Sequence, residues 1–436
     1  MSREKSLEST LQTLQCHFTW DLDVSRSKLL RIRDKLLDIG TEEGYNWLGH
    51  IYNLQGFIHF QLGFTKDARM FFGRSTEAFR QIRNTVSDEG PWLLVNLANL
   101  AWLSYLQGEA AQTQACLSKM EVLVKDYPSP SPGDLHPEIY AEKGWTMMKF
   151  SREHKLLAAD CFQRAVRVLP DLVDWQSSYV LALVQAFKHS NKHFKADILD
   201  KMKICKDHDP TNLYLAAVFL EERASRSQNV EEEARALARK VLTKPVSSYS
   251  GIQPLLRLYS MYVSMDEAID LAEGALERHP GERYLKRCAA SCYRRRILLH
   301  RNSPADQSMV DRGISLYKEV ISLYPESSFK RKISLANIYA QSSHSSAAAE
   351  NIFEELLQSE LEPKEAQVLY NNYAKHLHVI QKKTHRSIEY HMRAAAIPVQ
   401  SFYRVNSVGI LERIRDRNRN RMCGEIAEFL LHLRLY

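Results

Sequence analysis

The chain has 436 residues, 44% of them hydrophobic and 25% charged, with a formal net charge of +7. That length makes two or three ordinary domains or one elongated repeat array, and 16 glycines with 14 prolines are too few turn signals for an all-β fold. The moderate positive charge suits an acidic partner without singling one out.

Seven cysteines, an odd number without framework spacing, read as reduced thiols of a cytosolic protein. The opening MSREKSLEST is charged and lacks the apolar core of a signal peptide. No uninterrupted apolar run approaches a membrane span. The expected location is cytoplasmic, with no membrane partner. A Gly-rich phosphate loop, a nucleophile elbow and a Cys-x-x-Cys pair are all missing. His189 and His193 are four apart but lack a zincin glutamate. No enzyme, cofactor or metal site is expected.

In chain order, residues 5–19 form a short helix with apolar positions at Leu7, Leu11, Leu14 and Phe18, ending in Cys16-His17-Phe18-Thr19-Trp20. A basic helix follows, SRSKLLRIRDKLLDIG, capped near Gly40. Gly56, Ala68, Phe72 and Ser75 then fit the small/large scheme of a tetratricopeptide repeat, and Ala101, Leu117 and Met120 fit a second. The connection DYPSPSPGDLHP at 126–137 cannot continue a helix and is the expected hinge. Gly144, Ala158, Phe162, Ala165 and Pro170 form the third repeat. Later repeats end at Pro210, Pro280 and Pro325, with two worn copies around Ala349-Phe353-Leu356 and Ser387-His391-Ala394.

The expected architecture is all-α: a solenoid of about nine tetratricopeptide-type helix pairs, wound into a superhelix with a long concave groove. Three subdomains are expected: 1–137, 138–246 with the third repeat at its start, and 247–436 with a basic terminal helix at 403–421. Repeat positions three and four apart share one helix face. They turn Trp145, Lys149, Gln185, Tyr214, Arg257, Arg287, Arg294 and Lys332 into the groove. Cations interleaved with aromatics are how sequence-tolerant single-strand binders are built. A polar groove of this kind also suits an acidic peptide. Trp145 and Lys149, four apart, taken alone read first as a core tryptophan beside a solvated lysine and second as a stacking and phosphate pair.

With the repeats placed, the chain resembles the interferon-induced proteins with tetratricopeptide repeats. The resemblance is carried by SLESTLQTLQCHFTWDL, NLANLAWLSYLQGEAAQTQACLSKME, HPEIYAEKGWTMMKF with ADCFQRAVRVLPD, and DPTNLYLA. It implies a non-enzymatic antiviral effector. Such an effector holds the 5′ end of foreign single-stranded RNA, triphosphate or incompletely methylated cap, in a basic internal channel and blocks its translation. Carried over residue by residue, Trp145 matches a cap-stacking tryptophan and Lys149 a phosphate-facing lysine. Asn212 and Tyr214 match channel residues, and Arg31, Lys35 and Ile39 match positions of the second helix. Gln185 and Gln253 stand where RNA binders of the family carry arginines, Lys155 replaces a tyrosine and Arg287 a histidine. The glutamines at 185 and 253 favour the alternative of a scaffold for protein–protein contacts in innate immunity, with siblings of the family or other immune proteins as partners, while Lys155 and Arg287 are gained cations that fit a re-registered phosphate site.

Overall fold

The computed structural model describes residues 2–435 apart from 43, 84–88, 132, 188–195, 300–304, 343 and 345. His189 and His193 lie outside the described residues. Every regular element described is helical, and the helices gather into two compact units, Met1–Ser264 and Met265–Tyr436.

The first unit opens with α1 (Ser2–Thr13) and α2 (Arg26–Leu37), and continues in five antiparallel hairpins. These are α3 (Leu48–Gln61) with α4 (Thr65–Arg83), α5 (Leu94–Leu106) with α6 (Ala110–Asp126), and α7 (Pro137–Met147) with α8 (Arg152–Val168). α9 (Val173–Phe187) with α10 (Ala196–His208) and α11 (Leu213–Ser225) with α12 (Glu231–Val241) complete them, and α13 (Ile252–Leu258) closes the unit. The second unit begins with α14 (Met265–Arg278) and holds four further hairpins. Its pairs are α15 (Arg283–Leu299) with α16 (Gln307–Leu323), α17 (Phe329–Tyr339) with α18 (Ser346–Leu357), α19 (Pro363–Val379) with α20 (Thr384–Ala396), and α21 (Phe402–Arg417) with α22 (Cys423–Leu435). The all-α repeat architecture is therefore the observed one.

The repeat logic is visible in the packing. A Cβ at Gly56 on α3 would sit 2.6 Å from the Phe72 ring, so only glycine lets Phe72 of α4 bury completely. Ala68 and Ser75, on the same face of α4, are likewise fully buried. Small residues thus bring two helices close enough to share one aromatic between them. Pro170, Pro210, Pro280 and Pro325 each fall two residues past the end of a helix, at Val168, His208, Arg278 and Leu323. A proline there cannot continue the helix, which ends the repeat sharply.

Two local expectations shift. The first helix stops at Thr13, because the Thr19 hydroxyl donates to the Leu14 carbonyl at 2.6 Å and folds residues 14–19 into a tight turn. The proline-rich 126–137 connection lies inside the first unit. A single core running from Cys16 to Ala182 passes on both sides of it, and Tyr140 and Arg164 reach its Asp134 at 3.1 and 3.4 Å. All seven cysteines are unpaired and buried, and burial pushes the Cys16 thiol up to about 12. Among the described residues no helix is long and apolar enough to cross a membrane.

Candidate nucleic-acid interface

The site of the first unit is built where α7 ends. Trp145 occupies the last turn of α7, while Lys149 falls in the turn beyond it, its backbone N–H donating to the Thr146 carbonyl at 3.0 Å. Lys149 therefore reaches Trp145 from a turn and not from the same helix, with its ammonium 4.2 Å from the indole centroid. The Trp145 Nε1–H donates to the Tyr249 hydroxyl at 3.1 Å, and the Lys149 Nζ donates to the same oxygen at 3.3 Å. Trp47, in the short 3₁₀ turn Tyr45–Trp47, lies nearly parallel to Trp145, with centroids 6.1 Å apart and planes at 15°.

The end of α7 is fixed by the aromatic turn at 16–20. His17 donates its backbone N–H to Asn99 Oδ1 at 3.2 Å, and its Nδ1 accepts from Asn99 Nδ2 at 3.0 Å. That leaves the proton on Nε2, which donates to Thr146 Oγ1 at 3.1 Å beside Trp145. Burial drives the imidazole down to about 3, so it stays neutral and holds this tautomer. One helix face on, Glu142 is buried and accepts from Asn53 Nδ2 at 2.8 Å. Burial raises its carboxyl to about 8, the neighbouring Glu138 adding to the effect.

Tyr249 is delivered by the serine-rich stretch 247–250. The Ser247 hydroxyl accepts from the backbone N–H of Tyr249 and of Ser250, and the Ser248 N–H donates to the Asp38 carbonyl at 2.8 Å. Gly251 follows at φ +89°, and a Cβ there would meet the Leu213 carbonyl at 2.9 Å. Only glycine combines that left-handed conformation with so close an approach to the start of α11. The stretch therefore ties α2, α7 and α11 together, with the Tyr249 ring between them.

Around this aromatic pair the chain concentrates cations. Lys28, Arg31 and Lys35 lie on α2, and Lys155 lies on α8 near Lys149. Burial, then the charges of Lys35 and Arg31, depress the Lys28 ammonium to about 8. Burial alone brings Lys149 down to about 7, and Lys155 is lowered by burial and by the charge of Lys149. Lys28 thus feels Lys35, Arg31 and Lys155, with Asp23 acting in the opposite sense, and Lys155 feels Lys149, a run of like charges that favours an incoming anion.

The other expected residues divide. Tyr214 is half-buried on α11, its hydroxyl within the field of Arg257 and Tyr249, and burial raises its pKa. Asn212 caps α11, its carboxamide oxygen accepting from the Leu215 N–H at 3.0 Å, so that oxygen is spent on the fold. Arg257 donates to Glu221 through Nε, at 2.6 Å, and through Nη2, and its charge is already answered. Gln185 is half-buried on α9, Gln253 is exposed on α13, and Ile39 is a core residue.

Three expected residues belong to the second unit and form a different environment. Arg287 lies 4.8 Å from the Tyr284 ring and 5.6 Å from that of Tyr324, over which Arg283 and Arg331 also sit, each at 4.3 Å. Arg294 is half-buried, its Nε without a hydrogen-bond partner. Lys332 is ion-paired to Glu355 at 2.7 Å. Among the described residues no group of three His, Cys, Asp or Glu side chains could hold a metal ion.

Three residues of the first site were missed from the sequence. Lys28 had a signal, one helical turn before Arg31 on the same basic helix. Trp47 and Tyr249 had none, because each reaches Trp145 from a connection about 100 residues away in the chain.

No protein-family model matches the chain. Among curated proteins it is similar to protein IFIT1 homolog B of Homo sapiens, 23% identical over 95% of this chain and 89% of that one. It is also similar to the human antiviral innate immune response effector IFIT1, at 22% identity over 98% and 91%. The mouse interferon-induced protein with tetratricopeptide repeats 2 is 24% identical over 95% and 88%. Among solved structures, the human IFIT1 dimer with PPP-AAAA has a TM-score of 0.67 at 21% identity, covering 97% of this chain and 95% of that one. The human IFIT1 dimer with m7Gppp-AAAA has a TM-score of 0.68 at 21% identity, covering 98% of each chain. Over nearly its whole length the chain is similar in sequence to the interferon-induced proteins with tetratricopeptide repeats, and it shares the fold of their solved structures.

Proposed function

We propose that this protein is an antiviral effector that binds the 5′ end of foreign single-stranded RNA in the cytoplasm and so blocks its translation. The observation that carries the reading is the cluster of Lys28, Arg31, Lys35, Lys149 and Lys155 around the Trp145–Tyr249 pair. Burial lowers Lys28, Lys149 and Lys155, neighbouring cations lower Lys28 and Lys155 further, and an incoming anion favours the charged form of each, which couples phosphate binding to proton uptake most strongly at Lys149, brought down to about 7. The relatives named for antiviral action, and the solved relatives holding PPP-AAAA and m7Gppp-AAAA, support a 5′ end as that anion. Lys149 would face phosphate directly, and Arg31, Lys35, Lys28 and Lys155 would supply its surrounding field. Tyr214 would line the wall. Asn212 and Arg257 would act indirectly, one by starting α11 and the other through Glu221. The test is titration of one short RNA bearing a 5′-triphosphate or a 5′-hydroxyl across a salt series. A preference for the triphosphate is expected, weakening with salt at about 0.7 log units per log unit for each phosphate contact. Equal affinity for the two RNAs would overturn the reading.

A second reading, a scaffold for proteins of the same response, is favoured by the second unit. Phe402 and Val405, one turn apart on α21, are 70% and 66% exposed, an apolar pair suited to a partner helix.

A further inference from the structure

The Trp145 ring, which a stacked base would need, is already covered by the chain. Trp145 is only 2% exposed. Its ring meets Trp47 in a near-parallel stack, the Lys149 ammonium at 4.2 Å, and His50 at 6.1 Å. Its only polar edge is bonded to Tyr249. Stacking requires an open ring face of base size, and no such face is open here.

Trp47 is not a casual neighbour. Its edge contacts run to His50 at 4.9 Å and to Phe162 at 6.3 Å, and its backbone N–H donates to the Gly44 carbonyl at 2.9 Å. Asn46, beside it, donates to Asp174 on α9 at 3.0 Å. Swinging Trp47 aside for a base breaks aromatic packing and loosens a turn tied at both ends. Phosphates make no such demand: an ammonium binds an anion without a ring face, and Lys149, whose ammonium lies over the Trp145 indole and donates to Tyr249, still has further N–H donors to offer.

We propose that this pocket selects an uncapped 5′-triphosphate over a capped end, and that Trp47 is the residue that sets the selectivity. The proposal rests on the 5′-end reading and narrows it. A capped RNA also carries three phosphates, but its outermost one is esterified by 7-methylguanosine, which removes phosphate charge and adds a nucleoside; the Trp47 variants separate the two effects, because they change the space for the base and leave the charge difference as it is.

The experiment measures the full chain against one RNA sequence in three forms, 5′-triphosphate, m7Gppp-capped and 5′-hydroxyl, by fluorescence anisotropy. The wild-type chain is expected to bind the triphosphate at least tenfold more tightly than the cap. Trp47→Ala and the milder Trp47→Leu, each checked by circular dichroism and thermal melting, should narrow that ratio about tenfold. Equal wild-type affinity for cap and triphosphate overturns the proposal while leaving the 5′-end reading in place. A ratio unmoved in a folded variant overturns the role of Trp47. If neither phosphorylated RNA is preferred to the hydroxyl form, the 5′-end reading itself falls and takes the proposal with it.

Discussion

The candidate site of the first unit and the second unit place the same residue types in different electrostatic settings. In the first, Lys28, Arg31, Lys35, Lys149 and Lys155 crowd one another, and burial weakens the hold of Lys28, Lys149 and Lys155 on their protons. In the second, cations are matched as they arise: Lys332 with Glu355, Lys286 with Glu319, Arg312 with Glu273, Arg296 with Asp266. Three further guanidiniums rest on the Tyr324 ring. A paired cation has spent its Coulomb energy inside the fold, whereas a crowded one gains most from an incoming anion. Counting arginines and lysines along a groove does not separate these cases.

Four measurements break or sharpen that contrast. Trp145→Ala should cost about 3–5 kcal/mol of unfolding free energy, read by urea denaturation, because the ring is core. A stability change below ~1 kcal/mol would mean that Trp145 is an accessible platform after all, and the closed pocket would be wrong.

Next in size is a pH effect on the first unit. The folded Glu142 carboxyl titrates near 8 against an ordinary 4.5. Its stability contribution is whole below pH 4.5 and is lost as pH rises through 8. Glu142→Gln keeps the shape but cannot ionise, so its melting temperature should gain on the wild type by a growing margin between pH 5 and 8.5. A constant margin across that range would place Glu142 outside the titrating core.

The third concerns binding. Lys149→Gln should reduce the slope of log affinity against log salt by roughly 0.7 for a triphosphate RNA, one phosphate contact's worth. Lys332→Gln, whose charge Glu355 already answers, should reduce it by less. Equal reductions would erase the distinction between crowded and paired cations. Smallest of all, Lys332→Gln should change stability by only about 0–1 kcal/mol, as an exposed pair does, in the same denaturation assay.

Much of the fold was legible because tetratricopeptide packing is written in residue size. Gly56 opposite Phe72, Ala158 and Ala165 flanking Phe162, and prolines two residues past the helix ends all announce themselves in order along the chain. The site was legible only in part. Lys149 and Trp145 meet, the ammonium lying over the indole, while Arg31 and Lys35 act on Lys28 of their own helix. Arg257 was read as a groove cation, and its ion pair with Glu221, 36 residues earlier, depends on side-chain rotamers that helix periodicity does not fix.

What the sequence determined by itself, then, is the repeat: helix lengths, their ends, and the face of each helix that small residues open to its neighbour. These follow from contacts within about one repeat length, where periodicity is a faithful guide. Tertiary structure alone decided the condition of the Trp145 pocket. Trp47 and Tyr249 come from connections with no periodicity, and a side chain's neighbours across 100 residues depend on how successive hairpins stack. The same four letters around Trp145 would describe an open platform or a closed one. Packing closed it.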